Sequence, residues 1–507
     1  MNAASKQSDR GSAARSRLPE GVRATVIGGG LAGIAAATVL CERGAAVTVV
    51  EREPVLGGRA SGWRDHLSDG QPFEMERGFH AFFRQYYNVR ALLRRIDPEL
   101  GNLMPLVDYP IVGPSGEMES FSGLPTRTPF QVLELVRRSP HLKLKDLMRA
   151  DVRSAAQMLA FDTDTIYERF DHFTARQYLD SLSFPTRARQ MLFDVFAHSF
   201  FNPEDRMSAS ELLMMFHFYF MGNPEGLVFD VLVEPFSLAL WMPMRRYLEK
   251  RGVQFLLERS ATQVSRATEK GWRVHLDKAP DHVDGDVVVL ATTVPGLQSI
   301  VQASPDLQSP AWRKNVESQS VTYPFAVWRA WLDTPSSPGR HAFIGTSGLG
   351  VVDNVSEYHL FEGESRRWSM ATGGSVVEVH AYAVRPELSQ EAIRSEFDKT
   401  MREIYPETAN ARIVDERFLL RSDCPAFPPG SWRSRLQVET PFDGVALAGD
   451  FVRISQPSAL MERAVSTGFL AANRLMSTWG VRPEPVRSVP TQGLLSWLPA
   501  WTAPHIA

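Results

Sequence analysis

Residues 24–59 read ATVIGGGLAGIAAATVLCERGAAVTVVEREPVLGGR. The apolar run 24–27 has the length of a buried strand, and Gly28, Gly30 and Gly33 follow it in G-x-G-x-x-G spacing. Residues 34–41 are an apolar, alanine-rich helix, and 46–50 is a second strand that ends in Glu51. In that order they make a βαβ unit with a dinucleotide fingerprint, which predicts a Rossmann-like α/β domain. Gly28 permits the tight turn, Gly30 leaves room for a pyrophosphate, and Gly33 lets helix and strand pack closely. Leu31 and Ala32, within the glycine turn, belong to the binding set, and the free N–H groups and partial positive charge of the helix N-terminus face the phosphates. Glu51 accepts ribose hydroxyls and repels a 2′-phosphate, so NADP is disfavoured. Arg52, beside it, joins the binding set.

Working outward, Gly57, Gly58 and Arg59 form a second glycine pair closed by a cation. This resembles the extended GG motif of FAD-binding oxidoreductases. The resemblance implies that Gly58 faces the pyrophosphate and Arg59 neutralises it, and that the cofactor is FAD, held non-covalently, rather than NAD.

Composition sets wide limits. The chain has 507 residues, 44% hydrophobic and 22% charged, which suggests two or three globular domains. A net charge of −3 argues against a nucleic-acid binder. Its two cysteines, Cys41 and Cys424, suggest neither a disulfide framework nor a metal site, and fit a reducing cytoplasm. Residues 1–20 lack an apolar segment and are expected to be a disordered tail. No uninterrupted apolar run is long enough to suggest a transmembrane helix.

Further along, Glu76, Gly78, His80, Phe82, Phe83, Tyr86 and Asn88 spell E-x-G-x-H-x-F-F-x-x-Y-x-N. The pattern and its distance from the GGR resemble the plant-type phytoene and ζ-carotene desaturases. Within that group, RGFHAFFRQYYNVRALLRRIDP (77–98) is most similar to the carotenoid aromatic-ring synthases, or isorenieratene synthases. The resemblance implies that Gly78, Phe79 and His80 pass beside the flavin ring. It also implies that a backbone group at Val264 caps the adenine, and that Ala291, opening an A-T-T turn, approaches the cofactor. Residues 445–476 carry L-A-G-D, P-x-x-x-M-E-x-A and a small-residue helix. There Gly449 and Asp450 would meet the ribityl or phosphate side, and the helix N-terminus at Met461 and Glu462 would aim its dipole at the flavin.

Three further stretches carry expectations. Residues 130–161 mix leucines with Arg137, Arg138, Lys143, Lys145 and Arg149, as an ordinary surface helix pair does. A peripheral helix on an anionic membrane has the same pattern, which the resemblance favours. Residues 173–247 are read as helical, and their wealth of Met and aromatics suits an apolar tunnel. After Pro483 the tail reads as loop, with Leu494, Leu495, Trp497, Leu498 and Trp501 available for an interface or a membrane edge.

The expected architecture is a GR2-type FAD/NAD(P)-binding domain assembled from residues 21–100, 246–300 and 426–480. An α+β substrate domain is inserted at 101–245 and 301–425, and 481–507 is a tail. The expected reaction is flavin-dependent hydride removal from an apolar polyene, with a β-ionone ring aromatised by 1,2-methyl migration. Quinone or oxygen would accept the electrons. The catalytic candidates are His80, Asp230 and Glu234, with Glu74 a third carboxylate able to steady a ring cation. An acyclic carotene desaturase or isomerase, a flavin amine oxidase, and a non-enzymatic carotenoid carrier remain alternatives.

Overall fold

The structure, a computed structural model, describes residues 15–106, 108–120, 122–125, 130–138, 158–183, 189, 200–267 and 270–496. Much of the basic stretch at 130–161, including Lys143, Lys145 and Arg149, lies outside the described residues, as do Trp497, Leu498 and Trp501.

A five-stranded sheet runs in the order Gln254–Leu256, Ala46–Val50, Arg23–Ile27, Val287–Leu290, Val445–Leu447. Every neighbouring pair is parallel. The strands are valine-rich because a parallel sheet is covered on both faces, and β-branched side chains pack well there. Helix Leu31–Glu42 is buried along its length from Leu31 to Cys41, which is why it is apolar on every side. Helix Leu460–Met476 lies against it so closely that a Cβ on Gly468 would stand 2.3 Å from the Ala32 carbonyl oxygen. Chain segments more than 400 positions apart in sequence thus share one layer.

The second part is built on a seven-stranded sheet. Its order is Ile413–Arg421, Phe325–Leu332, Ser375–Ala381, Asn354–Glu357, Phe343–Thr346, Ile111–Val112, Met118–Glu119. All pairs are antiparallel except Phe343–Thr346 with Ile111–Val112. Helices Thr163–Phe170 and Ala175–Ser181 pack on Ala209–Phe216, and their buried side chains join the core of the first part. A π-helical turn, His217–Met221, extends the last of them.

Three expectations need correction. Residues 229–232 form a strand, between Phe82–Phe83 and Leu103–Leu106, not helix. The alternation of bulky β-formers in Phe229–Leu232 finds partners on both sides, and pairing overrides the helical reading. Residues 15–20 are not a loose tail: the Arg15 amide donates to Gly480 and the Leu18 amide to Arg43, with Leu18 buried. Residues 481–496 are not free either. Val489 is buried, and His217 bonds the Pro490 carbonyl.

Candidate active site

One cavity of about 1060 Å³ runs from Glu51 through the glycine turn to a group of aromatic rings. Its first half is polar and backbone-lined. Gly28, Gly30, Leu31 and Ala32 face it, with Gly57, Gly58 and Arg59 opposite. The glycines divide their labour as steric accounting shows. A Cβ on Gly28, where φ is +111°, would strike the Ala291 carbonyl oxygen at 2.3 Å, and one on Gly33 would strike the Gly28 oxygen at 1.9 Å. Gly30 has ordinary φ and nothing nearer than 3.8 Å, so its missing side chain serves only to leave the cavity open. Gly33 itself does not line the cavity.

Glu51 is buried, and its carboxylate accepts the Gly29 amide at 2.6 Å and the Glu53 amide at 2.9 Å. Burial pushes its pKa up against those two bonds. Arg52 lines the rim, exposed and paired with Glu53. Arg59 and Asp450, given separate tasks on sequence grounds, are one unit: a guanidinium fork at 2.9 and 2.6 Å from the two carboxylate oxygens. Gly449 donates its amide to Thr467. Both long helices that reach the cavity, at Gly30–Leu31 and at Ala459–Met461, start without a capping side chain. Their first N–H groups are therefore left for a ligand.

Two adjustments follow for the cofactor residues. The Val264 amide is fully buried and donates to the Ser304 hydroxyl at 2.8 Å, so it does not cap an adenine. Ser260 and Ala261, a few residues earlier on the same segment, line the cavity instead. Met461 lines it too, but Glu462 turns away and accepts the Asn88 and Val89 amides at 2.9 and 3.0 Å. It secures the start of helix Tyr87–Leu93. Ala291 and the following two threonines face the cavity.

In the middle stand Gly78, Phe79 and His80, all lining the cavity. His80 Nδ1 lies 2.6 Å from the Gly78 carbonyl, which can only accept, so Nδ1 carries the proton and Nε2 keeps its lone pair. Burial lowers its pKa to about 4, so the ring is neutral at physiological pH.

The other catalytic candidates are elsewhere. Asp230 is buried in an ion pair with Arg84 and Arg90, Glu234 is paired with Arg367, and Glu74 accepts the Ser237 amide. None of the three lines the cavity. Each acid that does has a partner: Glu51 and Glu53 as above, Asp423 with Arg77, Asp450 with Arg59, and Asp353 with the Tyr382 amide. The far half is walled by Phe79, Phe83, Tyr109, Tyr219, Phe229 and Phe343. Sequence reasoning missed Tyr109 and Phe343, because nothing local distinguishes them from other strand aromatics.

The family described as "Flavin containing amine oxidoreductase" matches residues 31–476. The chain belongs to that family. Among relatives, a carotenoid phi-ring synthase of Streptomyces griseus is 46% identical over 468 residues, 92% of this chain and 90% of that protein. Another of that name from Chlorobaculum tepidum is 27% identical, covering 94% and 91%. The resemblance drawn from residues 76–98 is borne out. Putrescine oxidase bound to putrescine superposes with a TM-score of 0.67 at 18% identity, covering 90% of this chain and 99% of that one. Cyclohexylamine oxidase from Brevibacterium oxydans does so at 0.65 and 16%, covering 91% and 100%. Both likenesses concern the fold. The open space at Gly30, the two uncapped helix starts and the Arg59–Asp450 fork fit the phosphate-bearing part of a flavin cofactor, and flavin is what the family's description names.

Proposed function

We propose that this flavin enzyme is an FAD-dependent carotenoid oxidoreductase that aromatises a β-ionone end ring, shifting one methyl group to the neighbouring ring carbon. The observation that carries the reading is the joining of two unlike half-sites in one cavity. A dinucleotide cradle opens directly into an aromatic chamber in which every lining acid is already paired. An amine substrate would need a free polar handle; a hydrocarbon ring needs only shape and exclusion of water. The 46% identity to a carotenoid phi-ring synthase supports the same substrate class.

Bound FAD, held without a covalent link, supplies hydride acceptance. The protein does the rest. Gly30, Gly58 and the helix starts hold the pyrophosphate, Glu51 the ribose, and the Arg59–Asp450 fork the middle of the dinucleotide. The aromatic walls orient the ring and keep out water. His80, which lines the cavity, is the proton acceptor through its neutral Nε2, while Nδ1–H fixes the ring on Gly78. Quinone or oxygen serves as the final acceptor, and the protein draws its substrate at a membrane surface.

The test is expression in a β-carotene-producing host with carbon-13 supplied as methionine methyl. The product should gain aromatic end rings, keep every carbon, and carry no label in the new aryl methyl. Label there would disprove migration within the ring, and acyclic products with untouched rings would favour a linear desaturase. Acid precipitation of the purified yellow protein should leave all FAD in the supernatant.

A further inference from the structure

The reaction proposed above passes through a ring cation, and no lining carboxylate among the described residues is free to face it. What surrounds that end of the cavity is a set of rings in mutual contact. The Phe343 centroid lies 4.6 Å from Phe79, 5.7 Å from Phe229 and 6.2 Å from Tyr109. Phe229 and Tyr109 are 4.7 Å apart, and Phe79 and Phe229 5.8 Å. Tyr109 donates its hydroxyl proton to the Leu227 carbonyl, which makes its ring richer in electrons. An ordinary core would bury all four. Here Tyr109 and Phe229 are buried, whereas Phe79 and Phe343 keep part of their surface open, and all four line the cavity.

We propose that Phe79, Tyr109, Phe229 and Phe343 form a cation subsite whose ring faces hold the end group during methyl migration. The inference rests on the ring-aromatising reading. Aromatic faces carry partial negative charge and attract cations most strongly where water is excluded. Unlike a carboxylate, they cannot form a covalent adduct with a carbocation or pull its proton away before the methyl has moved.

Hydride leaves the ring carbon beside the gem-dimethyl carbon, and one methyl crosses to it with its bonding pair. Positive charge passes to the carbon the methyl left, where the ring double bond spreads it. Proton loss from the carbon that received the methyl converts that C–H pair into a C=C bond. A second hydride and a second proton, from the two remaining CH₂ groups, complete the aromatic ring. Two hydrides and two protons leave in all, and no carbon. The hydride acceptor is a flavin, turned over by a quinone or oxygen.

The full-length protein is made with Phe343 replaced by phenylalanines of increasing fluorination, which keep shape while draining the ring face, and is tested on β-carotene. The ratio of methyl-migrated aromatic rings to merely dehydrogenated rings should fall stepwise, by about tenfold or more at the fluorinated end. Phe343→Trp should retain the ratio and Phe343→Leu should lose it, with FAD occupancy equal in every variant. A ratio indifferent to fluorination would overturn the cation subsite alone. Absence of any aromatic ring from the unmodified protein would overturn the functional reading with it.

Discussion

At the scale of single residues, the cofactor half of the cavity separates room from packing. Gly30 opens onto empty space, whereas Gly33 is pressed on the Gly28 carbonyl. Gly30→Val should therefore fold and lose FAD, while Gly33→Val should fail to fold, since backbone cannot move aside as a side chain can. Glu51→Gln should weaken FAD binding by about 1–3 kcal/mol through loss of charged hydrogen bonds to the ribose. Calorimetric titration of apoprotein with FAD, alongside circular dichroism, checks all three. Full FAD occupancy in Gly30→Val would place the pyrophosphate elsewhere.

At the scale of elements, Glu462 shows how one side chain can be read correctly in its neighbourhood and wrongly in its direction. It sits in the first turn of helix Leu460–Met476, yet it serves the start of another helix, Tyr87–Leu93. Asn88 also donates its side-chain amide to it at 2.7 Å. Glu462→Ala would strand buried donors and should cost roughly 3 kcal/mol or more. Burial outweighs those bonds and raises the Glu462 pKa to about 8, above its unfolded value near 4.5. Its contribution to stability is then complete below about pH 4.5 and is lost as pH rises through about 8. Urea denaturation at about pH 6 and about pH 9 should show wild type losing stability over that interval and Glu462→Gln losing less. Equal losses would refute the raised pKa.

At the scale of the molecule, the question is how an insoluble substrate arrives. No helix among the described residues is long and apolar enough to cross a membrane. Helix Phe130–Arg138 does present exposed Phe130 and Leu133 beside Arg137 and Arg138. Both arginines lean on Glu134, so their charge is partly offset, and a test of membrane contact has to include the two apolar side chains. The quadruple change of Phe130 and Leu133 to Ser, with Arg137 and Arg138 to Glu, should cut co-sedimentation with anionic liposomes several-fold while the melting temperature holds. Unaltered co-sedimentation would remove this helix from any membrane contact.

The sequence alone determined the dinucleotide half of this protein. Turn, close approach and helix start are properties of consecutive residues, so Gly28, Gly30, Gly33 and Glu51 are legible within one βαβ unit, and the dense motif at 76–88 carried the family. Tertiary structure alone decided the rest. Arg59 meets Asp450 across 391 positions, and Glu462 meets Asn88 across 374. The strand Phe229–Leu232 exists because two other strands flank it. Phe343, on a strand of the large sheet, meets Phe79, on the loop after Pro72–Glu76, across 264 positions. Which carboxylate is spent in an ion pair, and which ring keeps a face open, depends on partners that no local pattern names. The acids Asp230 and Glu234, candidates on sequence grounds, stand in ion pairs away from the cavity, and the chamber of rings is assembled from segments far apart in the chain.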